Sequence, residues 1–177
     1  MRKVPNEDLE RLLPDEYRQA SKLPVVLVLD NIRSLNNIGS VFRTADAFRV
    51  EKIFLCGITA TPPHRDIHKT ALGATESVPW EYSKATREAV EQLKAMGYSI
   101  LAIEQAEGSV MLNELRLDRS GKFALVFGSE VGGVADDVLA ISDMAVEIPQ
   151  FGTKHSLNIA VSAGVVIWQM FLELGLE

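Results

Sequence analysis

Short apolar runs punctuate the chain at Val25–Leu29, Lys52–Leu55, Ser99–Ile103, Phe123–Phe127 and Ala145–Ile148, with a weaker one at Val78–Glu81. Each is four or five residues long and mostly apolar, as expected of strands buried on both faces. Between them, apolar residues recur at helical spacing over Ile38–Phe48, Lys84–Met96 and Ala135–Ala140, and a last helix is predicted from Leu157 onward. This alternation predicts an α/β fold, a mostly parallel sheet with helices on both faces. Residues 1–23 read as a short helical extension, interrupted at Pro14 and ending at Pro24. The expected organisation is an extension over 1–24 followed by a single domain over 25–177.

The stretch NNIGSVFRTADAF, Asn36 to Phe48, gives the most informative helix. Ile38, Val41, Phe42, Ala45 and Phe48 form its apolar stripe, while Gly39, Ser40, Arg43 and Thr44 occupy the other side. Gly39 and Ser40 lie one turn before Arg43 and are both small. This arrangement suggests a floor cleared for the guanidinium to reach a ligand. The plain alternative is an exposed ion pair with Asp46, three residues on, worth little.

Composition narrows the class. A chain of 177 residues with 47% hydrophobic content suits one globular domain with a sizeable core. The single cysteine, Cys56, rules out an internal disulfide and reads as a buried small hydrophobe in a reducing, cytoplasmic setting. The net charge of −6 means that any nucleic-acid surface is a local basic patch. Candidate contributors are Arg33, Arg43, Arg65, Lys69 and Lys154. Leu157–Leu176 is apolar enough to suggest a membrane span, but Asn158, Ser162, Gln169 and Glu173 interrupt it and basic anchors do not flank it. A helix apolar around most of its circumference is better buried on two sides, by its own sheet and by a second subunit.

Several common chemistries are excluded. GSEVGG lacks the spacing of a dinucleotide fingerprint, and neither a P-loop nor G-x-S-x-G occurs. His64 and His68 could share a helix face, but Arg65 stands where a zinc hydrolase motif needs Glu, so no metal site is expected. His155 is adjacent to Ser156, and adjacent side chains diverge. Three strand ends remain chemically unusual, DNIRSLNNIG, GSEVGG and PQFGTKHSLN, whereas CGITATPPHRDIHK after Leu55 reads as ordinary loop. In open α/β sheets ligands bind beyond the carboxyl ends of strands.

Those ends carry N-x-G-x-x-x-R at Asn37, Gly39 and Arg43, F-G-S-E-x-x-G at Phe127 to Gly133, and I-P…S-L-N at Ile148, Pro149 and Ser156 to Asn158. In this order the set resembles the signature motifs of the SpoU (TrmH) family of RNA ribose 2′-O-methyltransferases, in the SPOUT superfamily, over about Val25 to Leu172. The resemblance implies a C-terminal deep trefoil knot, an exception to the unknotted rule. It also implies S-adenosylmethionine as cofactor and a homodimer. Ile103, Gly128, Ile148 and Leu157 are then the cofactor contacts, and Asn37, Arg43, Glu130, Ser156 and Asn158 the catalytic set. The substrate implied is structured RNA, tRNA ahead of rRNA. The short N-terminal extension and the lack of a basic C-terminal tail depart from members that use such parts on tRNA.

Read as bare residues, Asn37 and Ser156 are good helix N-caps. Asn158, expected at the second helical position, is a poor helix former there and fits active-site positioning better. Glu130, among glycines, is placed to accept hydrogen bonds from backbone or from Asn37. A guanidinium keeps its proton, so Arg43 is expected to polarise and position the ribose hydroxyl, with the final proton acceptor open. The competing expectations are a non-catalytic RNA-binding module retaining the fold and an unrelated nucleotide-binding protein.

Overall fold

The apolar runs become the strands of one sheet in the computed structural model, which describes residues 1–5, 8–9 and 11–176. In chain order these are β1 Leu23–Asp30, β2 Val50–Cys56, β3 Trp80–Ser83, β4 Tyr98–Ile103, β5 Val110–Met111, β6 Lys122–Phe127 and β7 Met144–Glu147. The sheet has seven strands in the order β3-β2-β1-β6-β4-β7-β5, and every pairing is parallel. Parallel neighbours need crossover connections. Most are supplied by α2 Leu35–Ala47, α3 Arg65–Ala71, α4 Ala74–Ser77, α5 Thr86–Ala95 and α6 Asp136–Leu139. A short α1 Pro14–Gln19 precedes the sheet, and α7 Ile159–Leu174 follows it.

Strand periodicity sorts the core into two layers. Val25, Leu27 and Leu29 of β1 join Phe123, Leu125 and Phe127 of β6 in the larger one, with α2, α3 and α7. Val26, Val28, Ala124 and Val126 face the opposite way, onto Ala89, Val90 and Leu93 of α5 and Val138 of α6. The register sets Leu29 beside Leu55 and Phe127, Phe127 beside Ile103, and Ile103 beside Val146. The carboxyl ends of the five central strands therefore emerge together along one edge. The sheet and its two covered faces are as the sequence predicts.

Several boundaries differ. β1 starts at Leu23, and its ladder to β2 shifts register between Leu23 and Val26, where Pro24 has no N–H to give. Pro14 opens α1, because the first helical position needs no donor. Buried Tyr17 on α1 joins the main core. The loop predicted after Leu55 runs into α3, and α4 follows it unpredicted; their one or two buried residues each leave too little periodicity to read. β5 is missed because two residues carry no alternation. The cap of α2 is Ser34, accepting from the Asn37 N–H at 3.3 Å, so Asn37 is not the cap. The cap of α7 is Asn158 rather than Ser156, and the helix begins at Ile159 rather than Leu157.

Gly39 has a different purpose from the one expected. It is buried, and a Cβ there would strike the Thr70 hydroxyl and the Ile67 carbonyl of α3. Thr70 Oγ1 donates to the Asn36 carbonyl at 3.0 Å, closing the same contact. The small residue admits a neighbouring helix rather than clearing a floor for Arg43. Cys56 is buried as expected, and burial pushes its thiol up to about 12, which removes it as a nucleophile. Among the described residues, no helix is long and apolar enough to cross a membrane.

Because backbone as well as the Thr70 hydroxyl stands against Gly39, Gly39→Ala should destabilise the fold by about 1–3 kcal/mol, seen as a lower urea midpoint. An unchanged midpoint would refute the close helix contact.

Candidate active site

Three chain segments meet beyond the carboxyl edge of the sheet. The first, Gly128–Gly133 after β6, is a tight loop closed on itself. Ser129 N donates to the Gly133 carbonyl at 3.0 Å, Gly133 N returns a bond to the Ser129 carbonyl at 2.9 Å, and Gly132 N donates to Ser129 Oγ at 3.0 Å. A Cβ on Gly128 would overlap the Gly133 and Val134 backbone, so the loop closes only with glycine there. Its base is held from just beyond β4, where Glu104 Oε2 accepts from Val134 N at 2.9 Å. The turn thus serves loop closure, and it sets the Gly128 and Gly133 main chain beside the cavity between the loops.

The second segment is the start of α2 and the third is the 148–158 loop leading into α7. Asn37 joins both to the first. Its Nδ2 donates to Glu130 Oε1 at 3.1 Å, and its Oδ1 accepts from Asn158 Nδ2 at 3.1 Å. Asn158 Oδ1 meanwhile accepts from Ala160 N at 2.9 Å and Val161 N at 3.4 Å, so one amide caps α7 and reaches α2. An amide that both donates and accepts is the side-chain type that can bridge a carboxylate and a second amide. The expected contact between Asn37 and Glu130 is present.

Between the loops lies a cavity of about 470 Å³, a size ordinary for small-molecule sites. Phe127, Val146, Ile148, Leu157 and Ile159 give it apolar walls. All four expected cofactor contacts, Ile103, Gly128, Ile148 and Leu157, line it, as do Glu130, Ser156 and Asn158. Asn37 stands behind Glu130 and Asn158 and is not a lining residue. Arg43 does not line it either, and it is exposed on α2 with no ion pair among the described residues. The ion pair with Asp46, the plain alternative, is not formed. Asp46 faces Ser77, Lys22 and Arg11 instead, and burial raises its carboxyl despite them.

The sequence reading missed the supports of the site. Asp30, 2% exposed at the end of β1, accepts from Thr86 Oγ1 at 2.5 Å, Asn31 Nδ2 at 2.7 Å and Ala135 N at 3.3 Å. Buried Thr59 donates to the Leu29 carbonyl at 3.0 Å and accepts from Ile32 N at 2.9 Å. An aspartate ending an apolar run was the available signal for the first. The second lay in the stretch read as plain loop. His64 Nδ1 caps α3 by accepting from Asp66 N at 3.2 Å. No group of three or more metal-ligating side chains gathers among the described residues.

Comparison with known proteins places these features. The model of the SpoU rRNA Methylase family matches residues 24–168. The 23S rRNA (guanosine-2′-O-)-methyltransferase RlmB of Nitrosomonas europaea is 33% identical over 159 residues, 90% of this chain and 60% of that protein. The AdoMet-bound rRNA methyltransferase of Sinorhizobium meliloti superposes with a TM-score of 0.79 at 26% identity, over 91% of this chain and 60% of that one. A structure concerned with 2-OH methylation of C/U34 on tRNA gives 0.72 at 27% identity, over 85% and 95%. The chain spans about 60% of the length of the first two.

The double use of Asn158 separates two effects. Asn158→Ala should cost about 1 kcal/mol through the lost cap and speed amide exchange at Ala160 and Val161. Asn158→Asp keeps the capping oxygen and should keep that protection while losing the donor to Asn37. Equal exchange in Asn158→Ala and wild type would contradict the capping role.

Proposed function

Because the chain belongs to the SpoU rRNA Methylase family, we propose that it is an S-adenosylmethionine-dependent methyltransferase acting on a ribose 2′-hydroxyl in structured RNA. The observation that carries this reading is the convergence of Asn37, Glu130 and Asn158 at one cavity. The residues present fit the cofactor. Apolar walls suit an adenine, which needs only main-chain donors and acceptors besides. Ile103, Gly128, Ile148 and Leu157 would hold it, in a single methyltransferase domain over 25–177 whose C-terminal segment forms the knot. When bound, it supplies an electrophilic methyl group.

The chain's own part is to present the oxygen. Asn37 fixes Glu130 and Asn158 at the cavity wall, and Ser156, exposed at its mouth, is free to bond the incoming ribose. Arg43 is proposed to hold the adjacent phosphate by its planar fork and to polarise the hydroxyl. Since Arg43 lies away from its own chain's cavity, it is assigned to the cavity of a second copy.

A homodimer is supported by the split character of α7. Ile159, Val166, Ile167 and Met170 are buried against the sheet, while Val161, Val165, Trp168 and Leu172 form an exposed stripe at helical spacing. Trp168 and Phe171 pack with Phe48, the C-cap of α2, at centroid distances of 5.9 and 5.7 Å, extending the apolar surface towards the helix that carries Arg43. A two-fold partner covers such a stripe with its own copy. On the substrate side, the tRNA preference drawn from the sequence gives way to rRNA, the RNA that the relative of Nitrosomonas europaea acts on by name. The place of action proposed is the cytoplasm.

Incubation with methyl-tritiated cofactor and separate rRNA and tRNA pools, followed by nucleoside mass spectrometry, should yield a 2′-O-methyl nucleoside from rRNA. A methylated base, or cofactor binding with no transfer to either pool, would overturn the reading, the second outcome favouring an RNA-binding module. Mixing Arg43→Ala and Asn158→Ala chains under subunit exchange should restore up to one intact site per mixed dimer. Mixtures that stay inactive would confine each site to one chain.

A further inference from the structure

We propose that Glu104 is a cofactor-contact residue whose carboxylate receives the two vicinal hydroxyls of the adenosyl ribose. The inference rests on the methyltransferase reading above and adds a residue outside the three motifs. Glu104 directly follows β4, next to Ile103, and lines the same cavity. It is half-buried, and it makes no ion pair among the described residues.

Two main-chain donors fix its orientation. Oε1 accepts from Gln105 N at 2.9 Å and Oε2 from Val134 N at 2.9 Å. Gly133, at φ +65°, lies so close that a Cβ would overlap the carboxylate. The group is therefore clamped between the end of β4 and the Gly128–Gly133 loop. An ionised carboxylate offers about four acceptor sites, so each oxygen keeps one for a ligand.

A ligand that fills the cavity strips water from those oxygens and must replace it with donors. Of the two acids lining the cavity, Glu130 is engaged by Asn37. Glu104 holds only backbone bonds and is the one left to face ligand donors. No lysine or arginine lines the cavity to neutralise it. A vicinal diol presents two O–H donors at a spacing that matches the two oxygens of one carboxylate. The apolar walls are left to the adenine.

Calorimetry tests this with S-adenosylhomocysteine, 5′-methylthioadenosine and the 2′-deoxy and 3′-deoxy forms of the latter. Wild type should bind 5′-methylthioadenosine about tenfold more tightly than either deoxy form, the scale of one lost charge-assisted hydrogen bond. Glu104→Gln should weaken S-adenosylhomocysteine and 5′-methylthioadenosine by about tenfold or more and bind the deoxy forms almost as wild type does. Equal loss on all four ligands, with the discrimination retained, would make Glu104 a loop support only. Loss confined to S-adenosylhomocysteine would assign Glu104 to the amino-acid end. Either result overturns the proposal. The wild-type comparison alone decides if the variant fails to fold, because no preference for the diol refutes the contact. Wild type that binds none of the four would instead refute the cofactor reading itself.

Discussion

The amide of Asn37 is the point on which the site depends. It donates a hydrogen bond to Glu130 and accepts one from Asn158, tying the loop after β6 and the start of α7 to the start of α2. No one of these segments is held there by the sheet alone. Each is a loop or helix end, and such backbone is mobile unless its polar groups find partners. The bond chain joins the three ends into one surface. It also fixes which way the Asn158 amide faces, because its oxygen is already committed to capping α7.

Beneath this lies the rigidity of the central strands. β1 and β6 are paired on both sides and their residues are almost wholly buried, so the edge from which the loops spring is held by packing on two faces. Asp30 and Thr59 carry that order past the end of β1 by satisfying backbone groups that the ladder no longer reaches. A buried carboxylate is costly unless hydrogen-bonded, and Asp30 takes three donors. It offsets that cost by joining the starts of α5 and α6 to the central strand.

Strand positions, parallel pairing and the two-sided burial could be read from the chain, since continuous apolar runs of four or five residues leave few alternatives. Glu130, Ile148, Ser156 and Asn158 at the cavity were legible for a different reason, as parts of three motifs in a known order. What could not be read is tertiary. Gly39 and Arg43 share one side of α2, and nothing local distinguishes a glycine that admits α3 from one that clears space for an arginine. Asn37 and Ser156 have the chemistry of caps, but the caps are Ser34 and Asn158, three and two residues away, because periodicity cannot fix a helix start. Glu104 and Asp30 carry no motif, and their importance comes from the backbone N–H groups that the fold delivers to them.

Amide hydrogen exchange with and without saturating S-adenosylhomocysteine tests most directly whether the three ends form one cofactor site. Protection should rise together at residues 104–105, 128–134 and 148–161, and stay unchanged at the far edge over 62–80. Protection confined to one of these segments, or centred on the 62–80 edge, would contradict the account.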